Sequence, residues 1–224
     1  MIPVAGLLIS LISLFSCKTD VSSQPKQVQA TTAKDTLVVH EFDHDTTKWK
    51  ELTTRDGYFI DIKYATTDNF VGEVIYPCGK CFLIPAAARA LQNVKFALHK
   101  QGFGLKLFDC YRPRPAQYKL WEKVPNPNYV ARPSEGSMHN RGVAVDLTLT
   151  DPKGNEVNMG TPYDFFGPEA HHDYKGHDKK VNDMRILLKS TMEKHGFAGI
   201  RTEWWHYSLA SGKYPLEDWE WKCN

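Results

Sequence analysis

In the stretch GVAVDLTL, residues 142–149, one carboxylate sits inside an alternating apolar run. The alternation predicts a strand. Val143, Val145, Leu147 and Leu149 share one face, and Ala144, Asp146 and Thr148 share the other. Asp146 therefore needs a partner, because burying an ionised group alone is strongly unfavourable. A metal ion, an arginine or a set of backbone amides would each serve. His139 lies just upstream, separated from the strand by Asn140-Arg141-Gly142, which can turn the chain sharply. A regular strand would place residues seven apart on opposite faces. The turn is what can bring His139 back beside Asp146.

A second histidine and carboxylate stand close together in EWWHY, residues 203–207. Residues three apart in a regular strand point to opposite sides. For Glu203 and His206 to share a site, Glu203 must start the strand or a bulge must intervene. Either histidine taken alone is more often structural than a ligand. The two clusters together favour a site: His139, Asp146 and His206 form a three-ligand set with one open position, as catalytic zinc requires. Glu203 is then free to act as a base.

The rest of the chain supplies a scaffold. YFIDIKY (58–64), GLKLFDC (104–110) and EWWHYSL (203–209) read as further strands. Pro85 opens a helix with Leu91, Val94 and Leu98 at helical spacing and Gly102 as its stop. PRPAQYKLWEKV (113–124) reads as a short helix. Asp178 to His195 reads as an amphipathic one, with Val181, Met184, Leu188 and Thr191 or Met192 inward and Gly196 closing it. Strands and helices mix without a strict alternation. The expectation is a single α+β domain over 37–224, its largely antiparallel central sheet flanked by helices.

Ahead of that domain, MIPVAGLLISLISLFSC (1–17) is an apolar run too short for an ordinary membrane span and suited to a signal peptide. Leu14-Phe15-Ser16-Cys17 resembles a bacterial lipobox, although no Lys or Arg precedes the run. The expectation is an exported lipoprotein, lipidated at Cys17 and anchored to a membrane of the cell envelope or periplasm. A plain signal peptide with an incidental Cys17 is the alternative. Residues 18–36 are polar, rich in Ser, Thr and Gln, and read as a flexible tether. Cys78, Cys81, Cys110 and Cys223 remain, an even number that in an exported chain points to disulfides in one of three pairings. A structural zinc on all four is the competing idea, disfavoured in an oxidising compartment. The formal charge of +2 and the lack of a basic run give nucleic-acid binding no electrostatic support.

Ser137-x-His139-x-x-Gly142-x-Ala144-x-Asp146, followed by Glu203-x-x-His206, resembles the zinc D,D-peptidase superfamily. More narrowly, KYATTDNF (63–70), YRP (111–113), MGTPYDFF (159–166), His171-His172 and EWWHY resemble the D-alanyl-D-alanine dipeptidases known from vancomycin-resistance clusters and peptidoglycan recycling. The resemblance runs from about Arg55 to Tyr214. It implies one zinc per chain on His139, Asp146 and His206, with Glu203 as general acid and base and Arg112 facing the scissile carbonyl. It also implies that Tyr64, Ser137 and Asp164 line the amino end of the substrate, D-alanyl-D-alanine. Cys110 stands where the family often has glycine, which puts a thiol or disulfide near Arg112.

Plainer roles exist for several of these residues. Arg112 could pair with a surface carboxylate. Asp164 and Ser137 could cap turns. His171, His172 and His177 read as solvated or structural rather than as a second metal site, and Trp204, Trp205, Trp219 and Trp221 as core and rim. Two other functions fit the same fold: a zinc carboxypeptidase or endopeptidase acting on longer wall peptides, and a non-catalytic peptidoglycan-binding lipoprotein.

Overall fold

The computed structural model of the protein describes residues 43–223. The expected signal peptide, Cys17 and the tether lie outside the described residues. Along the described chain run β1 (Lys50–Leu52), β2 (Phe59–Ile60), β3 (Cys81–Leu83), α1 (Pro85–His99), β4 (Gly104–Asp109), α2 (Arg114–Lys123), β5 (Ala144–Thr150), α3 (Lys179–Lys194), β6 (Phe197–Ile200) and β7 (Glu203–Leu209). One sheet has the order β2-β4-β5-β7-β6. Only the β2–β4 pair is parallel. β1 and β3 form a separate antiparallel pair. The architecture is the α+β, largely antiparallel one expected from the sequence.

The helices follow their apolar spacing. α1 opens on Pro85, whose missing N–H is unneeded in a first turn, and buries Leu91, Val94 and Leu98. Truncating one of these to alanine would cost about 2–5 kcal/mol. α3 is capped by Asp178, whose carboxylate accepts from Val181 N–H at 2.8 Å. It buries Val181, Leu188, Thr191 and Met192, while Met184, also expected inward, is only partly buried against the core. Arg185 joins that inner face, where its Nε donates to the Met159 carbonyl at 2.6 Å.

β5 is the central strand, and all seven of its residues are buried. Its alternation therefore separates two covered faces rather than core from solvent. The strand expected over Tyr58–Tyr64 is shorter than its pattern suggests. Its last paired residue is Ile60, opposite Leu107, with Asp61 N–H still donating to the Leu107 carbonyl at 3.0 Å. The chain then enters a 3-10 turn, Lys63–Ala65, with Tyr64 buried.

The four cysteines form two disulfides, Cys78–Cys223 and Cys81–Cys110. Paired sulfurs leave no thiolates for the alternative structural zinc. Cys81–Cys110 fastens β3 to the residue that follows β4, directly beside Tyr111 and Arg112. Cys78–Cys223 fastens the C-terminal segment. Bridges of this kind typically contribute about 2–4 kcal/mol.

Candidate active site

His139 reaches the site through a single turn, His139–Arg141, closed by Gly142 at φ +66°. A Cβ on Gly142 would stand 2.5 Å from the Trp49 ring, so conformation and space both require glycine. The turn is tied to the segment after β4: Arg112 N–H donates to the His139 carbonyl at 3.1 Å, and Asn140 Nδ2 donates to the Arg112 carbonyl at 2.7 Å.

Asp146 and His206 are direct cross-strand neighbours in the β5–β7 pair, which puts their side chains on one face. His206 Nδ1 lies 2.9 Å from Asp146 Oδ1. His139 Nε2 lies 3.2 Å from that oxygen and 3.0 Å from His206 Nδ1. The other nitrogen of His139, Nδ1, donates to the Cys110 carbonyl at 2.7 Å, leaving the Nε2 lone pair turned towards Asp146 and His206. Tyr163 hydroxyl donates to Asp146 Oδ2 at 3.0 Å.

Electron-rich atoms packed this closely need a cation or shared protons between them. Four ligands about 2.0–2.1 Å from a tetrahedral zinc stand about 3.3 Å apart, close to the spacing found here. Among the described residues, these three form the one group of His, Cys, Asp or Glu side chains close enough to hold a metal. Electrostatics agrees. Burial alone would raise the Asp146 carboxyl, but His139 and His206 hold it well below the usual range. Burial alone would depress His206, and Asp146 more than reverses that.

Glu203 is the first residue of β7. Gly199 of β6 faces Tyr207, yet the next residue, Ile200, faces Glu203. The intervening residues of β7 are thus taken up by an irregularity. Both devices expected from the sequence, a strand start and a break in register, are present, and Glu203 and His206 line one cavity. That cavity measures about 390 Å³ and also receives Tyr64, Arg112, Ser137 and Asp164. Burial raises the Glu203 carboxyl above its ordinary value, with Asp146 adding to the effect and His206, His139 and Arg112 opposing it.

Arg112 does not pair with a surface carboxylate. It is buried, and its Nε and Nη2 donate to Asp109 Oδ2 at 3.0 and 2.7 Å. Nη1 donates to Gln117 Oε1 at 3.0 Å, and the guanidinium carbon lies 5.1 Å from the centre of the Tyr64 ring. Tyr76 hydroxyl completes Asp109 by donating to Oδ1 at 2.8 Å.

Tyr64 hydroxyl donates to Asp164 Oδ2 at 3.2 Å. Asp164 has φ +57° and is the one non-glycine with positive φ among the described residues. Strain of this kind persists where surroundings over-determine it, and it clusters at ligand sites. Burial, then the charges of Asp146 and Glu203, push its carboxyl well above the usual range. Ser137 caps its turn, its Oγ accepting from His139 N–H at 3.1 Å, and it also lines the cavity.

His171, His172 and His177 stay out of the site. His171 Nδ1 lies 3.0 Å from Arg201 Nη1, and His177 Nε2 lies 2.8 Å from the Glu169 carbonyl. Trp204, Trp205 and Trp221 are buried in the core, as expected. Three functional neighbours were not singled out in the sequence: Asp109, Gln117 and Tyr163. Asp109 carried the same signal as Asp146, a carboxylate inside an apolar strand. Tyr163 lay within the MGTPYDFF stretch. Gln117 gave no signal.

A buried His-Asp-His set able to hold a metal thus shares one cleft with a carboxylate and an arginine, an arrangement suited to metal-assisted hydrolysis. The D-ala-D-ala dipeptidase family matches residues 51–221, and the chain belongs to that family of zinc metallopeptidases. The D-alanyl-D-alanine dipeptidase of Escherichia coli is 38% identical over 165 residues, 73% of this chain and 86% of its own length. That of Enterococcus faecalis is 35% identical over 183 residues, 71% of this chain and 89% of its own. A solved vancomycin resistance D,D-dipeptidase, in complex with a D-Ala-D-Ala phosphinate analog, is 16% identical, with 72% of this chain and 67% of that one covered and a TM-score of 0.39.

Proposed function

We propose that the chain hydrolyses the free dipeptide D-alanyl-D-alanine to two D-alanines, with zinc held by His139, Asp146 and His206. The observation that carries this reading is the meeting of those three ligand atoms with Glu203, Arg112, Tyr64 and Asp164 around one cavity. Zinc held there would lower the pKa of water from about 15.7 towards about 7, giving a hydroxide-strength nucleophile at neutral pH, and would separately polarise the scissile carbonyl as a Lewis acid.

The protein's own groups do the rest. Glu203 takes the proton of the attacking water and passes it to the leaving amine, a task suited to a carboxyl raised by burial. Arg112, held rigid by Asp109 and Gln117, meets the charge that develops on the carbonyl oxygen. Losing one such donor costs about 2.7–4 kcal/mol in the transition state. Asp164, with Tyr64, holds the ammonium of the zwitterionic dipeptide. Ser137 fixes the turn that carries His139.

Zinc-loaded Glu203→Gln tests the assignment. It is expected to keep its metal and fold while turnover falls by about 10²–10⁴-fold. Near-normal turnover would remove Glu203 as the proton carrier.

The site is proposed to act outside the cytoplasm, on dipeptide released from the cell wall, in a lipoprotein anchored through Cys17. The apolar run of residues 1–17 supports this, as do two disulfides, which persist in oxidising compartments. Mass spectrometry of the native protein would show an acylated Cys17 at the mature N-terminus. An unmodified Cys17, or cleavage elsewhere, would refute the anchor.

A further inference from the structure

A second cavity of about 330 Å³ adjoins the metal cavity and is lined by Pro168, His171 and Arg201, none of which lines the first. Both cavities are bounded by Asn128, Tyr129, Phe166, Thr202 and Glu203, so these residues form the partition between them. Its aromatic part is a single stacked pair. Tyr129 and Phe166 lie with ring centres 4.5 Å apart and planes 28° apart. They come from different loops, the one between α2 and β5 and the one between β5 and α3. No hydrogen bond of the Tyr129 side chain reinforces the stack among the described residues, and Tyr129 is 43% exposed. The wall is therefore held by ring contacts, that of Tyr129 with Phe166 and that of Phe166 with Phe70.

The partition stands at one identifiable end of the substrate. A chain of ring contacts runs from Tyr64 to Phe70 (6.2 Å), from Phe70 to Phe166 (5.1 Å) and on to Tyr129. Tyr64 also bonds Asp164, two residues before Phe166. The wall thus begins beside the groups proposed to hold the substrate's ammonium. A residue added to the amino end of D-alanyl-D-alanine would extend from that side.

We infer that the Tyr129–Phe166 stack sets substrate length, by shutting peptides extended at the amino end out of the second cavity. This rests on the proposed dipeptidase activity and deepens it. Removing either ring joins the two cavities and gives the added residue a place. Arg201, 61% exposed at its side chain and 3.6 Å from Asp173 Oδ1, also lines the second cavity, where an added residue would meet it. Thr202 and Glu203 stay as the inner part of the wall, so the chemistry is left in place.

The test compares Tyr129→Ala, Phe166→Ala and Tyr129→Phe with the wild-type, zinc-loaded protein on two substrates, D-Ala-D-Ala and Gly-D-Ala-D-Ala. Release of D-alanine together with Gly-D-Ala identifies cleavage with the extension at the amino end. The ratio of kcat/KM for tripeptide over dipeptide is expected to rise by about tenfold or more in both alanine variants, the size of a modest pocket contact. Tyr129→Phe, which keeps the stack, is expected to hold the wild-type ratio. An unchanged ratio in the alanine variants, or a wild-type protein that already cleaves both peptides equally well, would overturn the inference while leaving the dipeptidase reading intact. A wild-type protein inactive on the free dipeptide would overturn both.

Discussion

Asp109 and Asp146 stand opposite each other across β4 and β5, both buried. Like charges directly opposed in a sheet destabilise it unless each has its own cation. Asp109 has Arg112, and Asp146 has the two histidines and the metal they imply. The pair therefore sets Arg112 and the residues that would hold the metal side by side on one ladder.

Asp109→Asn is expected to keep zinc, lower kcat and destabilise the fold. Breaking a buried ion pair from one side costs about 3–5 kcal/mol, and asparagine recovers part of it as an acceptor. Because Asp109 acts through Arg112, the double variant with Arg112→Ala should lose little more activity than Arg112→Ala alone. Additive losses, measured as kcat/KM in a double-mutant cycle, would show that Asp109 has a separate role.

His206→Ala is expected to lose both zinc and turnover, read by elemental analysis and D-alanine release. Tyr163→Phe removes only the hydroxyl that bonds Asp146 Oδ2. It is expected to weaken zinc affinity by about 10–100-fold with the ligands intact. Full zinc content in His206→Ala would sink the ligand assignment.

His172 gives the fold a dependence on pH. Burial, then the positive charges of Lys189 and Arg185, lower its pKa from 6.5 to about 4. The unfolded chain therefore binds this proton before the folded chain does. The histidine's contribution is fully present above about pH 6.5 and is lost as pH falls towards about 4. His172→Phe removes the titrating group and should flatten the loss of stability between those values in urea unfolding. An unchanged acid slope would place the dependence elsewhere.

The metal set was legible in the sequence because its residue types are costly where they stand: a carboxylate inside an apolar strand, a histidine before a turn, a second histidine in an aromatic strand. The long helices were legible from Leu91, Val94, Leu98 and Val181, Leu188, Met192. β1, β3 and β6 were not, because strands of three or four residues show too little alternation. Arg112 could be named but not its partner, since the shift in register after Leu107 that sets Asp109 opposite Asp146 leaves no mark in the residue pattern. The disulfide pairing depends on which strand ends meet, and four cysteines alone do not say.

Release of D-alanine from free D-alanyl-D-alanine, followed before chelation, after chelation and after zinc is restored, tests the central claim most directly. The account predicts turnover by the native protein, loss on chelation with the fold retained, and recovery with zinc. No release from the dipeptide, or release indifferent to chelation, would contradict it.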